Sequence, residues 1–420
     1  MAKRRIRTSR KLGNVGGRPG SRIAKSVPPS ILVLNAGSSS IKFALYTITI
    51  GSSLTRRLGG KIDRIGLTGT LFSINGSVDK PQSQRRIHAD DHGSAAMFLL
   101  DYLACQPAFA SVKAVGHRVV HGMKYSRPQR ITSALLTALQ RIAPCDPDHL
   151  PRELQLIRAF GKQHPELPQV ACFDTAFHHT MPNVAKCLPI PRRYMARGIQ
   201  RYGFHGLSYA FLMEELARLG DPAAKKGRVI LAHLGNGASL AAVRDGASID
   251  TSMGFTPAAG LMMSTRSGDL DPGIVGYLSR AHAMTAARFE KMVNHESGLL
   301  GVSATSPDVR DLLAKEAKDA RAAQALDMFC YQAKKWIGSF AAALGGVDTL
   351  VFAGGIGENA PVIRRRICQD LAFLGIRLDP VRNTHNAPII SARGAAVSVR
   401  IIHTNEELMI ARCVSRLLNL

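Results

Sequence analysis

The chain has 420 residues, 45% of them hydrophobic and 20% charged, and a formal net charge of +25 at pH 7. This composition is typical of globular proteins, and the length predicts two or three domains. No run of about 18 uncharged apolar residues occurs, so the sequence predicts no membrane-spanning helix. The seven cysteines are spread singly without a CxxC pair, which argues against a zinc site of that type and favours reduced thiols in a cytoplasmic protein.

The first thirty residues contain nine Lys or Arg residues and no acidic residue. They lack the apolar segment of a secretory signal, and their Arg- and Gly-rich composition is typical of disorder. We interpret residues 1–29 as a basic tail without a function of its own; an organelle-targeting role and a start codon placed too early are the alternatives. The rest of the chain is still basic, which suits an enzyme of anionic substrates.

The ordered chain is expected to begin near Ile31 with a strand, a polar turn and a second strand in ILVLNAGSSSIKFALY. The same pattern returns at residues 228–243, and from Asp348 a third apolar strand leads into a glycine turn and a helix that starts near residues 359–361. Further helices are predicted at 95–103, 151–160, 209–219, 317–344 and 405–420. Alternating strands and helices predict an α/β protein, and the two similar units indicate two related halves.

Three glycine-containing turns could bind phosphate through backbone N–H groups: residues 35–40, 234–237 and 354–359. After the first turn, strand alternation places Ser40 and Lys42 on one face, although a polar hairpin tip is the favoured interpretation of this segment taken alone. Residues 355–360 also fit the dinucleotide fingerprint GxGxxA, but they do not open a first βαβ unit. No G-x-x-x-x-G-K-[ST] segment occurs, which argues against a P-loop kinase.

Two arginines in otherwise apolar segments indicate an anion site, Arg118 in GHRVVHG and Arg266 in LMMSTRSGDLDP. Asp174 follows an apolar strand, where an acid is well placed for magnesium or for a proton. Asp174 and His178 could instead be metal ligands, although no third ligand follows at a suitable spacing. His205 lies between glycines in RYGFHG, where packing explains a histidine as readily as catalysis does.

Taken together and in order, several segments resemble the motifs of the acetate kinase family over about residues 31–415: NAGSSSIK, GHRVVHG, FDTAFH, YGFHG, HLGNGAS, DTSMGFTP, GLMMSTRSGDLDP, AGGIGEN and TNEELMIAR. The resemblance implies an α/β fold of two duplicated actin-like, ribonuclease H-like domains with the active site in the cleft between them. Residues 30–176, completed by the C-terminal helix 406–420, would form the first domain, and residues 177–405 the second. A homodimer and domain closure on nucleotide are also implied.

The implied reaction is the reversible, direct in-line transfer of the γ-phosphoryl group of ATP to acetate with Mg²⁺, for which Mn²⁺ can substitute. Arg118 would bind the acceptor carboxylate, and Val120, Phe204 and Pro257 would surround the methyl group. Asp174 would be the acidic catalytic residue, with His205 and Arg266 as transition-state stabilisers. Asn35 and Glu406 would hold Mg²⁺. The implied nucleotide-binding residues are Lys42, which would contact phosphate, and His233, Leu234, Gly235, Asn236, Gly237, Asp308, Val309, Arg310, Gly355, Ile356, Gly357, Glu358 and Asn359.

The chain departs from the family pattern near the acceptor site. Asp146 stands where a histidine is usual, His149 follows three residues later, and Cys145 replaces a leucine. Which of Asp146 and His149 takes the place of that histidine stays open. Leu207 and Tyr209 replace the Thr and His that are common after YGFHG. These substitutions could shift the preference among acids.

Three functions are therefore compared. The first is acetate kinase, and the second is a relative that prefers propionate or butyrate, which the sequence does not separate because one methylene is worth only about 1–3 kcal/mol in an apolar pocket. The third is a non-enzymatic nucleotide switch or an RNA-binding protein that uses the basic tail, which would bind nucleic acid with a steep salt dependence and form no acyl phosphate. The intact set Asn35, Arg118, Asp174, His205, Arg266 and Glu406 argues against the third and against a nucleic acid partner.

Overall fold

The computed structural model describes residues 28–37, 39–49, 53–66, 69–75 and 83–420. Almost all of the basic tail predicted for residues 1–29 therefore lies outside the described residues. Within the described ranges, none of the helices combines the length and the apolar character needed to cross a lipid bilayer.

The first half of the chain forms an eight-stranded sheet in the order β5-β4-β3-β2-β1-β6-β8-β7. Its strands are β1 (Ser30–Ala36), β2 (Ser40–Thr49), β3 (Ser53–Asp63), β4 (Leu71–Asn75), β5 (Ser83–Arg86), β6 (Val112–Val119), β7 (Gln129–Arg130) and β8 (Gln169–Phe173). Its helices are α1 (His92–Ala104), α2 (Ser133–Ile142) and α3 (Leu150–Gln163), with short 3₁₀ helices at Pro107–Ser111, Ala143–Cys145 and Ala176–Thr180.

The second half forms a five-stranded sheet in the order β11-β10-β9-β12-β13. Its strands are β9 (Arg228–Leu234), β10 (Ala238–Arg244), β11 (Ala247–Thr251), β12 (Thr349–Ala353) and β13 (Ser398–Ile401). The remaining α-helices are α4 (Asn183–Lys186), α5 (Arg192–Met195), α6 (Gly206–Arg218), α7 (Gly273–His282), α8 (Ala286–His295), α9 (Gly298–Ser303), α10 (Val309–Lys315), α11 (Ala320–Leu344), α12 (Gly354–Asn359), α13 (Pro361–Cys368), α14 (Pro380–Thr384) and α15 (Glu406–Leu418), with 3₁₀ helices at Pro222–Ala224 and Ala372–Leu374.

The two sheets share a five-strand core with the same order. Strands β3-β2-β1-β6-β8 correspond to β11-β10-β9-β12-β13. In each core the first three strands pair antiparallel and the last two add in parallel. The strand–turn–strand units that looked alike in sequence, β1-β2 and β9-β10, occupy equivalent places. The predicted pair of related α/β halves is therefore confirmed.

Helices α6 and α15 join the two halves in one apolar cluster. Leu212 of α6 and Ile410 of α15 belong to the same buried cluster as Ile31 of the first sheet and Leu231 of the second. Helix α15 lies so close to β6 that a Cβ on Gly116 would come 2.5 Å from the side chain of Ile410, so this position accepts only glycine. The C-terminal helix thus packs on the first half, while the domain boundaries at 176 and 405 and the completion of the first domain by residues 406–420 stay predictions.

The predicted helices all form, with small shifts at their ends. The helix predicted from residue 317 begins at Ala320, because the Asp319 side chain accepts the backbone N–H groups of the first turn. The prediction of a turn at residues 354–359 is wrong in one respect, because these residues form the short helix α12. The carboxylate of Glu358 accepts the N–H of Gly354 at 2.9 Å and closes this segment on itself.

Candidate active site

Three neighbouring strands of the first sheet end at the same place and bring an arginine, an acid and an amide together. Arg118 lies near the end of β6, Asp174 directly follows β8, and Asn35 lies near the end of β1. Arg118 donates from Nε to Asp174 Oδ2 at 3.0 Å and from Nη2 to the same oxygen at 2.5 Å. Its Nη1 reaches Asn35 Oδ1 at 3.4 Å. The guanidinium is thereby fixed at the edge of the sheet.

Asn35 connects this arginine to the start of α15. Its Nδ2 donates to Glu406 Oε2 and to Glu407 Oε1, both at 3.2 Å. Burial by itself would raise the pKa of Glu406, but Arg118 and His233 outweigh it and hold the pKa below its ordinary value. Glu406 is therefore a carboxylate at neutral pH, and it lies beside the strand ends although it is 371 residues distant from Asn35 in sequence.

The oxygen atoms at these strand ends and at the start of α15 suit a magnesium ion. Asp174 Oδ1 is buried without a hydrogen-bond partner, and Asn35 and Glu406 add an amide and a carboxylate oxygen. Within the described ranges, no three His, Cys, Asp or Glu side chains are arranged to hold a metal by themselves. Mg²⁺ commonly takes one or two carboxylates and completes its shell with water and substrate phosphates. The residues present fit such an ion.

The strand ends open into a cleft of about 220 Å³ that both halves line. Its walls are Asn35, Gly37, Ser40, Lys42, Arg118, His205, His233, Asn236, Gly237 and Glu406. Ser40 and Lys42 thus face the same space, as strand alternation predicted. Arg118 and Lys42 make the cleft attractive to an anion.

His205 lies directly before α6 and lines this cleft. Its backbone lies in the left-handed region, with φ 58°, which costs a non-glycine residue about 1–3 kcal/mol and commonly marks a functional position. Nδ1 lies 2.8 Å from Ser239 Oγ, and the ring stacks on that of His233 with centroids 4.4 Å apart. Burial first, and then the charges of His233 and Arg118, hold its pKa well below the ordinary value. His205 is therefore neutral at pH 7.

Arg266 approaches the cleft from the opposite side. A Cβ on Gly237 would lie 3.7 Å from its Nη1 and 3.1 Å from His205 Nε2, so the two side chains meet at this glycine. The side chain makes long contacts with Pro257 O, at 3.4 Å, and with Met263 Sδ, at 3.9 Å. No carboxylate of the residues described makes an ion pair with it, and burial lowers its pKa. Arg266 is a half-buried cation, and several of its N–H groups have no acceptor among the described residues.

A second cavity, of about 290 Å³, lies behind Arg266 and includes three of the positions that depart from the pattern which the sequence resembles. Cys145, Asp146 and His149 line it together with Pro257 and Arg266. Asp146 Oδ1 lies 2.8 Å from His149 Nδ1, while Asp146 Oδ2 is buried without a partner. Asp146 and His149 thus act as a pair at the place where one histidine was expected.

The three residues that were predicted to surround the methyl group lie in two different environments. Val120 and Phe204 are buried in one apolar cluster, whereas Pro257 lines the 290 Å³ cavity. The backbone N–H of Val120 donates to both carboxyl oxygens of Glu153 at 3.2 Å. Burial, and then the charge of Asp146, raise the pKa of Glu153 well above its ordinary value. Sequence reasoning missed Glu153, which has no local signal on α3 and meets Val120 only in the fold.

A third and larger cavity, of about 770 Å³, adjoins the cleft and contains most of the predicted nucleotide segments. The predicted residues on its walls are Gly235, Asn236, Asp308, Val309, Arg310, Gly355, Ile356 and Asn359. Lys61, Ser264 and Pro307 were not predicted and also line it. Lys42, His233 and Gly237 line the 220 Å³ cleft instead.

Leu234, Gly357 and Glu358 line neither space, although the sequence placed them at the nucleotide. Leu234 is fully buried, and Gly357 lies against Ala232 and Phe352. Glu358 binds the backbone N–H groups of Gly354 and Thr404. Gly357 and Glu358 belong to α12 itself, and the contacts of Glu358 fix the start of this helix against the segment that follows β13.

His178 does not serve as a metal ligand beside Asp174. Its ring is 1% exposed, Nε2 donates to Phe204 O at 3.1 Å, and Nδ1 lies 2.9 Å from Ser248 Oγ. Both ring nitrogens are thereby occupied. The histidine instead fixes the backbone immediately before His205.

Comparison with known proteins agrees with this architecture. The model of the acetokinase family matches residues 30–412. The chain is 44% identical over 391 residues to an acetate kinase from Rhodopseudomonas palustris, covering 92% of this chain and 98% of that protein. It is also 44% identical over 394 residues to a propionate kinase from Citrobacter rodentium, covering 92% and 96%.

Among solved structures, that of an acetate kinase from Porphyromonas gingivalis has a TM-score of 0.83 and 36% identity, and the match covers 93% of this chain and 100% of that one. The predicted fold class of two duplicated actin-like α/β domains is confirmed by this likeness. Over nearly its whole described length, the chain belongs to the acetokinase family of kinases.

Proposed function

We propose that the chain is an acetate kinase, which reversibly transfers the γ-phosphoryl group of ATP to acetate and forms acetyl phosphate and ADP. The observation that carries the proposal is that Arg118 and His205 line one small cleft and Arg266 meets His205 at Gly237 on its wall, with the donors of Arg266 free of any carboxylate ion pair among the described residues. Such a site is suited to two anions at once, a carboxylate and a terminal phosphate.

The acceptor carboxylate is already an anion, so it needs no general base. The barrier to direct in-line transfer is the repulsion between the carboxylate and the phosphate, and fixed cations offset it. Arg118, oriented by Asp174, binds the acceptor carboxylate. Lys42 faces the same cleft from β2 and binds the phosphates of the nucleotide.

His205 and Arg266 stabilise the charge that spreads over the transferred phosphoryl oxygens. Because His205 is neutral, it acts as a hydrogen-bond donor and not as a cation. Arg266 supplies the full charge. Removal of one such group typically lowers kcat by about 10²–10³.

A bound Mg²⁺, or Mn²⁺ in its place, would neutralise phosphate charge and polarise the phosphoryl group. Asn35 and Glu406 would hold it, and the unpartnered Oδ1 of Asp174 lies at the same strand ends. The adenosine part of the nucleotide would occupy the 770 Å³ cavity between α10 and α12. Cytoplasmic location stays a prediction from the sequence.

Propionate is a second candidate acceptor. The 290 Å³ cavity continues behind Pro257 and Arg266, and the smaller Cys145 lines it where the family pattern has a leucine. Such space could receive a chain longer than a methyl group. A relative with the name propionate kinase is as similar to this chain as one with the name acetate kinase.

A homodimer is the proposed assembly, and the surface of α7 supports it. None of the ten residues of α7 is buried, and Val275 and Tyr277 are 44% and 59% exposed. Leu270, just before the helix, is 44% exposed. Sedimentation equilibrium tests this assignment, with a Tyr277→Glu variant expected to shift the mass to that of the monomer.

The central experiment incubates purified protein with MgATP and acetate, propionate or butyrate, and traps the acyl phosphate with hydroxylamine. We expect a hydroxamate with at least one acid, a rate about 10²–10³ lower with Arg266→Ala, and equal activity for a form that begins near Pro28. If the wild-type protein phosphorylates none of the three acids, the proposed function is wrong.

A further inference from the structure

A buried chain of hydroxyl groups ends on His205. Tyr209 Oη lies 2.5 Å from Ser239 Oγ, and Ser239 Oγ lies 2.8 Å from His205 Nδ1. Tyr209 and Ser239 are both fully buried, so water does not complete their hydrogen bonds. The imidazole, the serine and the phenol therefore form a closed set whose hydrogens can be assigned by counting donors and acceptors.

The hydrogen of Tyr209 has one acceptor within hydrogen-bond distance in the described part of the chain, Ser239 Oγ. The backbone N–H of His233 also acts on the phenol oxygen, but it is a donor and cannot accept. Tyr209 therefore donates to Ser239. The single hydrogen of Ser239 is then directed to His205 Nδ1, which accepts it.

The two other arrangements each leave a buried hydrogen without an acceptor. If His205 Nδ1 carried the proton and donated to Ser239, and Ser239 donated to Tyr209, the phenol hydrogen would have no partner. If Tyr209 and His205 both donated to Ser239, the serine hydrogen would have none. An unsatisfied buried donor costs about 1–3 kcal/mol, which is enough to populate one arrangement almost alone.

We propose that Tyr209 is a positioning residue that acts through Ser239 to hold neutral His205 in the tautomer with its proton on Nε2. This inference rests on the proposed function, in which His205 donates to the transferred phosphoryl group. Nε2 is the ring nitrogen that faces the cleft, because a Cβ on Gly237 would lie 3.1 Å from it. The tautomer thus places an N–H donor beside Arg266, whereas the other tautomer would place a lone pair there and repel an anion.

The first test needs no variant and no substrate. Protein labelled with ¹⁵N in histidine is studied at pH 7 by two-bond ¹H–¹⁵N correlation, and the His205 signals are identified by their loss in His205→Asn. We expect Nε2 to have the shift of a protonated nitrogen and Nδ1 that of an acceptor. Protonated Nδ1 in the wild-type protein would overturn the inference.

The second test removes the hydroxyl groups one at a time. Tyr209→Phe keeps the aromatic ring and Ser239→Ala keeps the strand, so both should shift His205 toward a mixture of tautomers and lower kcat about tenfold or more, with the KM of ATP and of the acid nearly unchanged. Tyr102→Phe, on α1 of the first half, is the matched control and should leave kcat and the spectrum as in the wild type. Unchanged His205 signals in both site variants would contradict the inference.

The two readouts separate this inference from the proposed function. If no acid is phosphorylated but His205 has its proton on Nε2 and loses this preference in Tyr209→Phe, the hydrogen-bond assignment holds and the kinase assignment fails. If acids are phosphorylated while Nδ1 carries the proton, the reverse is true. Should Tyr209→Phe not fold, the wild-type spectrum and Ser239→Ala still decide the question.

Discussion

Arg118 holds one oxygen of Asp174 with two N–H groups, and leaves the other carboxylate oxygen without a hydrogen-bond partner among the described residues. Burial raises the pKa of Asp174 while Arg118 opposes this. The pair is therefore a structural ion pair and, in the proposed function, the anchor of the acceptor site. Arg266, by contrast, contacts only a carbonyl and a sulfur among the polar atoms of the described residues.

This difference predicts that truncation of the two arginines affects activity alike but stability differently. Arg118→Ala and Arg266→Ala should each lower kcat by about 10²–10³, because each removes a cation from the cleft. Arg118→Ala should also lower the free energy of unfolding by about 3–5 kcal/mol, since it leaves Asp174 buried and unpaired. Urea unfolding and hydroxamate assays measure both effects. Arg127→Ala, an exposed arginine, is the control for lost charge, and full activity in either site variant would refute the assigned roles.

A methyl group on Gly237 should narrow the cleft without harming the fold. The added Cβ would lie 3.1 Å from His205 Nε2 and 3.3 Å from Cε1, so the imidazole must move. We expect Gly237→Ala to lower kcat about tenfold while the free energy of unfolding changes by less than about 0.5 kcal/mol. Gly338→Ala, in α11 with no atom within 4 Å of the new Cβ, should leave activity unchanged and stabilise the helix by about 0.5–1 kcal/mol.

Arg364 should be essential for the nucleotide segment although it does not line the cavity. It is fully buried, and Nη1 donates to Gly357 O at 2.8 Å and Glu358 O at 3.1 Å, while Nη2 donates to Asn386 Oδ1 at 2.6 Å. Burial lowers its pKa to about 10. Arg364→Leu leaves these acceptors unpaired, so we expect a loss of about 3 kcal/mol or more in stability and weaker ATP binding by calorimetry. Arg365→Leu, on the exposed side of α13, should change neither.

Stability should fall on mild acidification because of two buried histidines. Burial lowers the pKa of His117 and of His178 to about 4. Between pH 6.5 and pH 4 the unfolded chain binds protons that these folded side chains do not, so the free energy of unfolding decreases as the pH falls through this window. Each histidine contributes on the order of 3 kcal/mol over the full range.

Urea unfolding at pH 7, 6 and 5 measures this dependence. His178→Gln should have a shallower slope of stability against pH than the wild type, whatever its absolute stability. His282→Gln, on the exposed helix α7, should keep the wild-type slope. A wild-type stability that does not change between pH 7 and pH 5 would contradict the prediction.

The sequence alone determined the repeated units and most of the elements. The apolar runs before the turns at residues 35–40 and 234–237 became equivalent strands in the two sheets, because a buried parallel strand needs a continuous apolar run and a turn needs glycine. Its ordered motifs identified the family. Strand alternation placed Ser40 and Lys42 on one face, and the resemblance assigned Asn35 and Arg118 to the same site.

Only the tertiary structure decided which groups touch. Glu406 reaches Asn35 across nearly the whole chain, and Glu153 and Arg364 lie inside helices without any local pattern that marks them. Tyr209 stood out in the sequence as a departure from the family pattern, but its contact with Ser239 did not. It also separated Leu234, Gly357 and Glu358, which support the fold, from the residues that line the cavities. The physical reason is that hydrogen-bond partners and burial are set by packing between distant elements, whereas the sequence pattern reports the local period and the turn chemistry alone.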